Sequence, residues 1–426
     1  MAVTLTLSIA PAQSVEQATA NDTARFLAGL PPSSGSPLAA LAKDPAWQQH
    51  ARYFDSIFAR EDSSTLSKVR AFSRENLTEK HDTMLYMFSG PDFLYATSFF
   101  PSASTYVLAA LEPPGEIPQL TGLGHQAVFG ALRNLEVSMG SLLSYSFFIT
   151  QKMKTQLRDG PVYGTLPVLY VFLARTGKTI REVSLVSLDE HGNFQGTDEA
   201  AATSVENKKQ IRSPSHTAAP GVKIVFSEGN GPNQTLYYFS TNLADGYFER
   251  SGFAAFLAKL GPADSYIKGA SYLLHKSGFS SVRKFLLDHS ATILQDDSGI
   301  PLVYFNPQKW RLQPFGHYVG PISLFANFYQ PGMTELFRRA TPIAFGVGYR
   351  WRKNESNLLL AQRGAPVTSD EELTPSLPTD RNPAGIATRS PKKPRKRAES
   401  DSTGSLGCRL AGFFWFCSEP PPKPSH

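Results

Sequence analysis

The stretch from Met84 to Leu111 constrains the fold more than any other. It reads MLYMF, then Ser89-Gly90-Pro91-Asp92, then FLYATSFF up to Pro101, and YVLAAL from Tyr106. Two apolar runs joined by a short helix-prone segment predict strand, helix, strand. Such a unit pairs its strands in parallel with a right-handed crossover.

The rest of the chain does not simply repeat it. Asp44-Pro45 sets up a helix start, an N-cap carboxylate followed by proline at the first helical position. Trp47, Phe54, Ile57 and Phe58 follow at helical spacing, and a second short helix is expected from Thr65. Helices are also predicted from His125 to about Leu157, with a break near Gly140, and at 166–175, 253–260, 265–275 and 281–288. Ile180 to Leu188 alternates as a strand does. VKIVF and LYYFS flank GNGPN, and ATILQ and IPLVYF flank DDSG, so each pair predicts a hairpin. Late strands are expected at 317–326 and 343–350. Hairpins mixed with packed helices point to an α+β fold with a mixed sheet, a helical N-terminal preface and a disordered C-terminal tail.

Composition divides the chain into a body and appendages. Residues 1–13 resemble a truncated signal peptide: an apolar run from Ala2 runs into Ala10-Pro11-Ala12, an A-x-A-like cleavage signature. Residues 14–39, including PPSSGSP, read as a linker. Residues 40–362 form the body, in one or two lobes with a boundary at 196–220, and 363–426 form a basic, proline-rich tail. Five tail residues, Lys392, Lys393, Arg395, Lys396 and Arg397, lower the formal charge from +6 to +1 when removed. A near-neutral body lacks the basic face of a nucleic-acid-binding protein. The tail itself suits an anionic surface or an import receptor. No run reaches the roughly 18–20 apolar residues of a transmembrane helix.

Both cysteines, Cys408 and Cys417, lie in the tail, so the body has no cysteine-ligated metal site. In an oxidising compartment a disulfide between them would close GCRLAGFFWFC into a small aromatic loop. Cofactor motifs fail one by one. Gly177-Lys178-Thr179 lacks the upstream glycine of a phosphate loop, since Phe172 stands there, and Gly122-Leu123-Gly124 follows a proline-rich loop rather than a strand. No cofactor or metal is therefore expected.

Polar candidates sit where strands end. Ser89 and Asp92 follow the first strand, where a helix start can hold an anion or simply be capped by Ser89. Glu112 follows the second strand on the same edge, so Asp92 and Glu112 could act as an acid/base pair. Asp296 and Asp297 could offer carboxylates to a ligand, although Asp, Ser and Gly are also ordinary turn residues. His275 is the candidate histidine from the second half.

LYYFSTNL (236–243), ASYLLH (270–275), QDDSGIP (295–301) and SGPDFLYA (89–96) resemble segments of uncharacterised exported bacterial proteins. The resemblance spans about residues 80–360 and implies export and a single body, with no catalytic residues attached. The expectation is an exported (periplasmic or secreted), non-enzymatic protein that binds a ligand or cell-surface component. A carboxylate-dependent hydrolase and an intracellular, cytoplasmic protein directed by its polybasic tail are the alternatives.

Overall fold

A computed structural model describes residues 19–145, 160–195, 219–352 and 354–364, and the backbone of a hairpin at 407–411 and 414–418. The signal-like start, most of the 196–220 segment and the polybasic run lie outside these residues. The described body is an α+β structure built on a ten-stranded mixed sheet.

The predicted strand–helix–strand unit sits at its centre. β1 (Thr83–Met87) leads through α4 (Phe93–Phe99) into β2 (Thr105–Ala110), and the two strands pair in parallel. Every residue of β1 is buried. Met84 and Tyr86 belong to one core cluster, whereas Leu85 and Met87 belong to another. A strand apolar on both faces needs cover on both, and helices supply it. The N-terminal helices α1 (Ala20–Leu27), α2 (Pro45–Glu61) and α3 (Ser67–Asn76) cover one side together with α4, α5 (His125–Tyr145) and α6 (Leu166–Arg175). α7 (Tyr247–Arg250), α8 (Phe253–Lys259) and α9 (Ser280–His289) cover the other.

The sheet order is β4-β3-β5-β6-β2-β1-β7-β8-β10-β9. β3 (Lys178–Leu188), β4 (Phe194–Gln195) and β5 (Ala219–Glu228) are antiparallel neighbours at one end. The pairing of β3 with β5 carries one sheet across 196–218. β5 forms the predicted hairpin with β6 (Gln234–Ser240). From β6 through β2, β1, β7 (Ala263–Ile267) and β8 (Ser290–Gln295), all pairings are parallel. β10 (Asn357–Arg363) and β9 (Trp310–Gly316) close the far end antiparallel. A short helix, α10 (Pro331–Leu336), lies between them in sequence.

Several expectations are corrected. Residues 20–27, expected as linker, form α1, and its Phe26 and Leu27 are fully buried. α1 is tied to α2 by Trp47 Nε1 donating to the Phe26 carbonyl and by His50 Nε2 facing that of Leu27. α5 runs through Gly140 without a break. Residues 263–267 are a strand, not the start of a helix, because a central position buries even Asp264 and Ser265. IPLVYF does not pair with β8. The Gln295 side chain instead accepts from Ile300 N (2.8 Å) and donates to Ile300 O (2.7 Å), occupying the groups a ladder would use. The late strands fall at 310–316 and 357–363. β9 contains Pro314, which lacks a ladder donor and is tolerated because β9 is an edge strand.

Within the tail, β11 (Gly407–Ala411) and β12 (Phe414–Ser418) form an antiparallel hairpin.

Candidate functional site

Parallel strands bring their carboxyl ends to one edge of the sheet. The chain leaves β1 toward β2 on one side and later returns to β7 on the other, so the β1/β7 crevice is the topological switch point. Ligands in such sheets bind at this place. Asp92 follows β1 there and Lys268 follows β7.

Asp92 is the N-cap of α4: its Oδ1 accepts from Tyr95 N at 3.2 Å. Its Oδ2 accepts from Tyr86 Oη at 2.9 Å and from Lys268 Nζ at 2.7 Å. Both side chains of the ion pair are 1 % exposed. The ammonium also lies 3.6 Å from the centre of the Tyr95 ring, and Tyr95 Oη donates to Glu61 Oε1 at 2.8 Å. Burial pulls the Lys268 ammonium below its usual range, opposed by the charges of Asp92, Asp296 and Glu61. Burial likewise pushes Glu61 up.

Asp296 and Asp297 stand beside this pair, just beyond β8. Asp296 Oδ2 accepts from Gly269 N (2.9 Å), and its Oδ1 accepts from Ser298 N (3.0 Å) and Ser298 Oγ (2.5 Å). Tyr272 Oη donates to Asp297 Oδ2 at 2.6 Å, and Asp297 N donates to Asn357 Oδ1 at 2.8 Å. Burial, and then the charge of Asp297, raises Asp296 to about 7, and burial raises Asp297 too. Two adjacent buried carboxyls share their titration, so this proton belongs to the pair.

The sequence candidates are only partly united. Asp92 and Asp296 meet around Lys268, with Asp297 next to Asp296. Ser89 does not cap the helix; its hydroxyl donates to Gly90 O and its N–H to Ala109 O, because the cap falls at Asp92 instead. Glu112 is buried on the same edge, and its backbone carbonyl accepts from Tyr238 Oη at 2.8 Å. Among the described residues no hydrogen bond or ion pair joins it to Asp92, whose charge is met by Lys268. His275 packs edge-on against Tyr272 and Phe328 rather than beside Asp92, and burial pulls it down to about 4, so it is neutral at physiological pH. Among the described residues no group of three His, Cys, Asp or Glu is arranged to hold a metal. The sequence reading missed Lys268, Glu61 and Tyr95. A lysine directly after a buried strand is the signal that would have found the first, had 263–267 been read as a strand.

Around the cluster the backbone is strained. Phe88, Ser271 and Tyr272 have φ of 62°, 52° and 54°, a region that non-glycine residues seldom adopt. Such strain costs roughly 1–3 kcal/mol per residue and gathers at functional sites.

Above the far part of this edge lies a groove of about 420 Å³, open to solvent and lined by His317, Tyr318, Val319, Phe337, Arg338 and Asn354 with Thr334. β9 ends at Gly316 directly below it. Arg350 Nη2 donates to Gly320 O at 2.5 Å and His317 N donates to Ser356 O at 2.7 Å, tying this rim to the chain that leads into β10. Comparison with known protein families, curated proteins and solved structures finds no match.

The chemistry of the site is uneven. The carboxylates are already served by protein donors. Beside them, several buried polar atoms have no protein partner: Arg350 Nε, Ser356 Oγ and Tyr266 Oη. Leaving one such group unpaired costs about 1–3 kcal/mol. Arg350, Ser356 and Asn357 belong to the segment that supports the groove. Arg350 Nε can only donate.

Proposed function

We propose that this is an exported, non-enzymatic protein that binds a small, acceptor-rich ligand in the groove over the carboxyl edge of its sheet. The observation that carries the reading is the unpaired Arg350 Nε, on the segment beside a groove lined by Arg338, His317 and Tyr318. A ligand with a planar body and an acidic group suits that lining: the Tyr318 ring offers an apolar surface, and the exposed Arg338, whose Nη1 also meets Glu335 at 2.6 Å, a charge partner. The occupied carboxylates below support a binder rather than a catalyst. Export rests on the apolar run ending in Ala10-Pro11-Ala12 and on the resemblance to exported proteins. Among the described residues no helix is long and apolar enough to cross a membrane.

The test uses the full chain. Small molecules that co-purify are identified by native mass spectrometry, and a panel of aromatic carboxylates and sulfonates is titrated against the protein. Arg338→Ala and Val319→Asp alter exposed groove residues and should weaken binding at least about 10-fold with unchanged thermal stability. Binding indifferent to both substitutions would place the ligand elsewhere. Sequencing the mature N-terminus addresses export: a chain beginning at Met1 in a cytosolic fraction contradicts it.

A carboxylate-dependent hydrolase is the second reading. It is favoured by Asp296, raised to about 7 where a general acid works best, and by the strained backbone beside it. A hydrolytic activity abolished by Asp296→Asn would replace the binder reading with this one.

A further inference from the structure

The tail cysteines support an inference independent of the groove. In the β11–β12 hairpin, Ala411 stands opposite Phe414, Leu410 opposite Trp415, Arg409 opposite Phe416 and Cys408 opposite Cys417. Two residues connect the strands, so the closing Ala411–Phe414 pair is a hydrogen-bonded one. Antiparallel pairs then alternate, which makes Cys408–Cys417 a non-hydrogen-bonded pair. Such pairs hold their Cα atoms about 4.5 Å apart, within the roughly 4.4–6.8 Å that a disulfide spans.

We propose that Cys408 and Cys417 are a redox pair whose intramolecular disulfide staples this hairpin. The reaction is exchange with a small-molecule disulfide such as oxidised glutathione. One cysteine thiolate attacks the oxidant and releases its first thiol. The second cysteine thiolate attacks the mixed disulfide and releases the other thiol. The protein gives up two protons and two electrons, and the oxidant becomes two thiols. An isolated two-stranded hairpin is marginal in water. The cross-link removes its open conformations and fixes the aromatic run Phe414–Phe416 on a closed scaffold.

The full chain, first reduced, is placed in a glutathione redox buffer and followed by intact mass and tryptic peptide analysis. Trypsin cuts after Arg409, between the two cysteines, so the oxidised form yields residues 398–409 covalently linked to 410–426. Expected is a monomer lighter by about 2 Da, without a stable glutathione adduct. Persistent double adducts, disulfide-linked dimers or two alkylatable thiols would overturn the proposal. Any flexible segment can cyclise, so a register control is needed: C417S combined with F416C moves the second thiol opposite Arg409. Its closure should be at least about 10-fold slower if strand pairing aligns the native cysteines. Equal rates would overturn the paired-strand basis.

Discussion

Removing Lys268 from the centre of the molecule provides a demanding test of the site. Lys268→Met keeps the aliphatic length and deletes the ammonium. Asp92 would remain 1 % exposed, holding Tyr86 Oη and Tyr95 N but no countercharge. Breaking a buried pair from one side costs about 3–5 kcal/mol, because the surviving charge stays desolvated. At about 2.1 cal/mol/K of unfolding entropy per residue, a body of roughly 320 residues changes by about 0.7 kcal/mol per degree, so Tm should fall by about 4–7 °C. Urea unfolding followed by far-UV circular dichroism gives the same quantity as a shifted midpoint at constant slope. Asp92→Asn should be destabilising for the mirror reason, even though asparagine still caps α4. The double variant, with neither charge, should be more stable than either single one. If Lys268→Met lies within about 1 kcal/mol of the parent, or the double variant is the worst of the three, the pair is not the buried couple described above.

Three further outcomes follow from the same edge. Gly348 has φ +60°, and a Cβ there would clash with Asp296 Oδ2, so Gly348→Ala should cost about 2–4 kcal/mol in the same urea assay. Asp296 titrates near 7 in the fold against 3.8 when free, so the folded state keeps a proton that the unfolded chain releases. Its contribution is full below about pH 4 and lost as pH rises through 7; Asp296→Asn should flatten that decline in urea midpoints measured from pH 4.5 to 7.5. His275 acts with the opposite sign: held at about 4 against 6.5, it is neutral in the fold while the unfolded chain gains a proton, so stability falls as pH drops across that window. His275→Gln should remove that acid-side loss in the same series.

The centre of the fold was legible because its signals are local. An aspartate cap and Pro45 mark α2, and two apolar runs around a capped helix mark β1, α4 and β2. What failed was decided by tertiary position. Ala263–Ile267 carries Asp264 and Ser265 and looks half-exposed in sequence, yet it lies between two parallel partners with both faces covered. His81 satisfies Asp264 at 2.8 Å and Ser290 satisfies Ser265 at 2.8 Å. A strand can therefore bury polar residues whose partners lie far away in sequence, and no window of neighbours reveals them. Pro314 stands within β9, where proline argues against a strand until the strand is known to be an edge.

The site was half legible for the same reason. Strand ends pointed to Asp92, Asp296 and Asp297, since a turn after a parallel strand is recognisable from Gly, Pro and Asp alone. Their meaning depended on Lys268, which lies 176 residues from Asp92 and comes into view only once β7 is placed beside β1. That lysine changes what the acids can do. Two carboxylates facing each other across a crevice would repel and raise one another's proton affinity, which is how an acid/base pair is built. With Lys268 bonded to it, Asp92 becomes one arm of a neutralised clamp joining the β1 and β7 loops, while the Asp296–Asp297 pair keeps a raised proton affinity. In the binder proposed above, recognition would then pass to the groove, beside which Arg350 Nε, rather than the acids at the strand ends, is left with a bond to make.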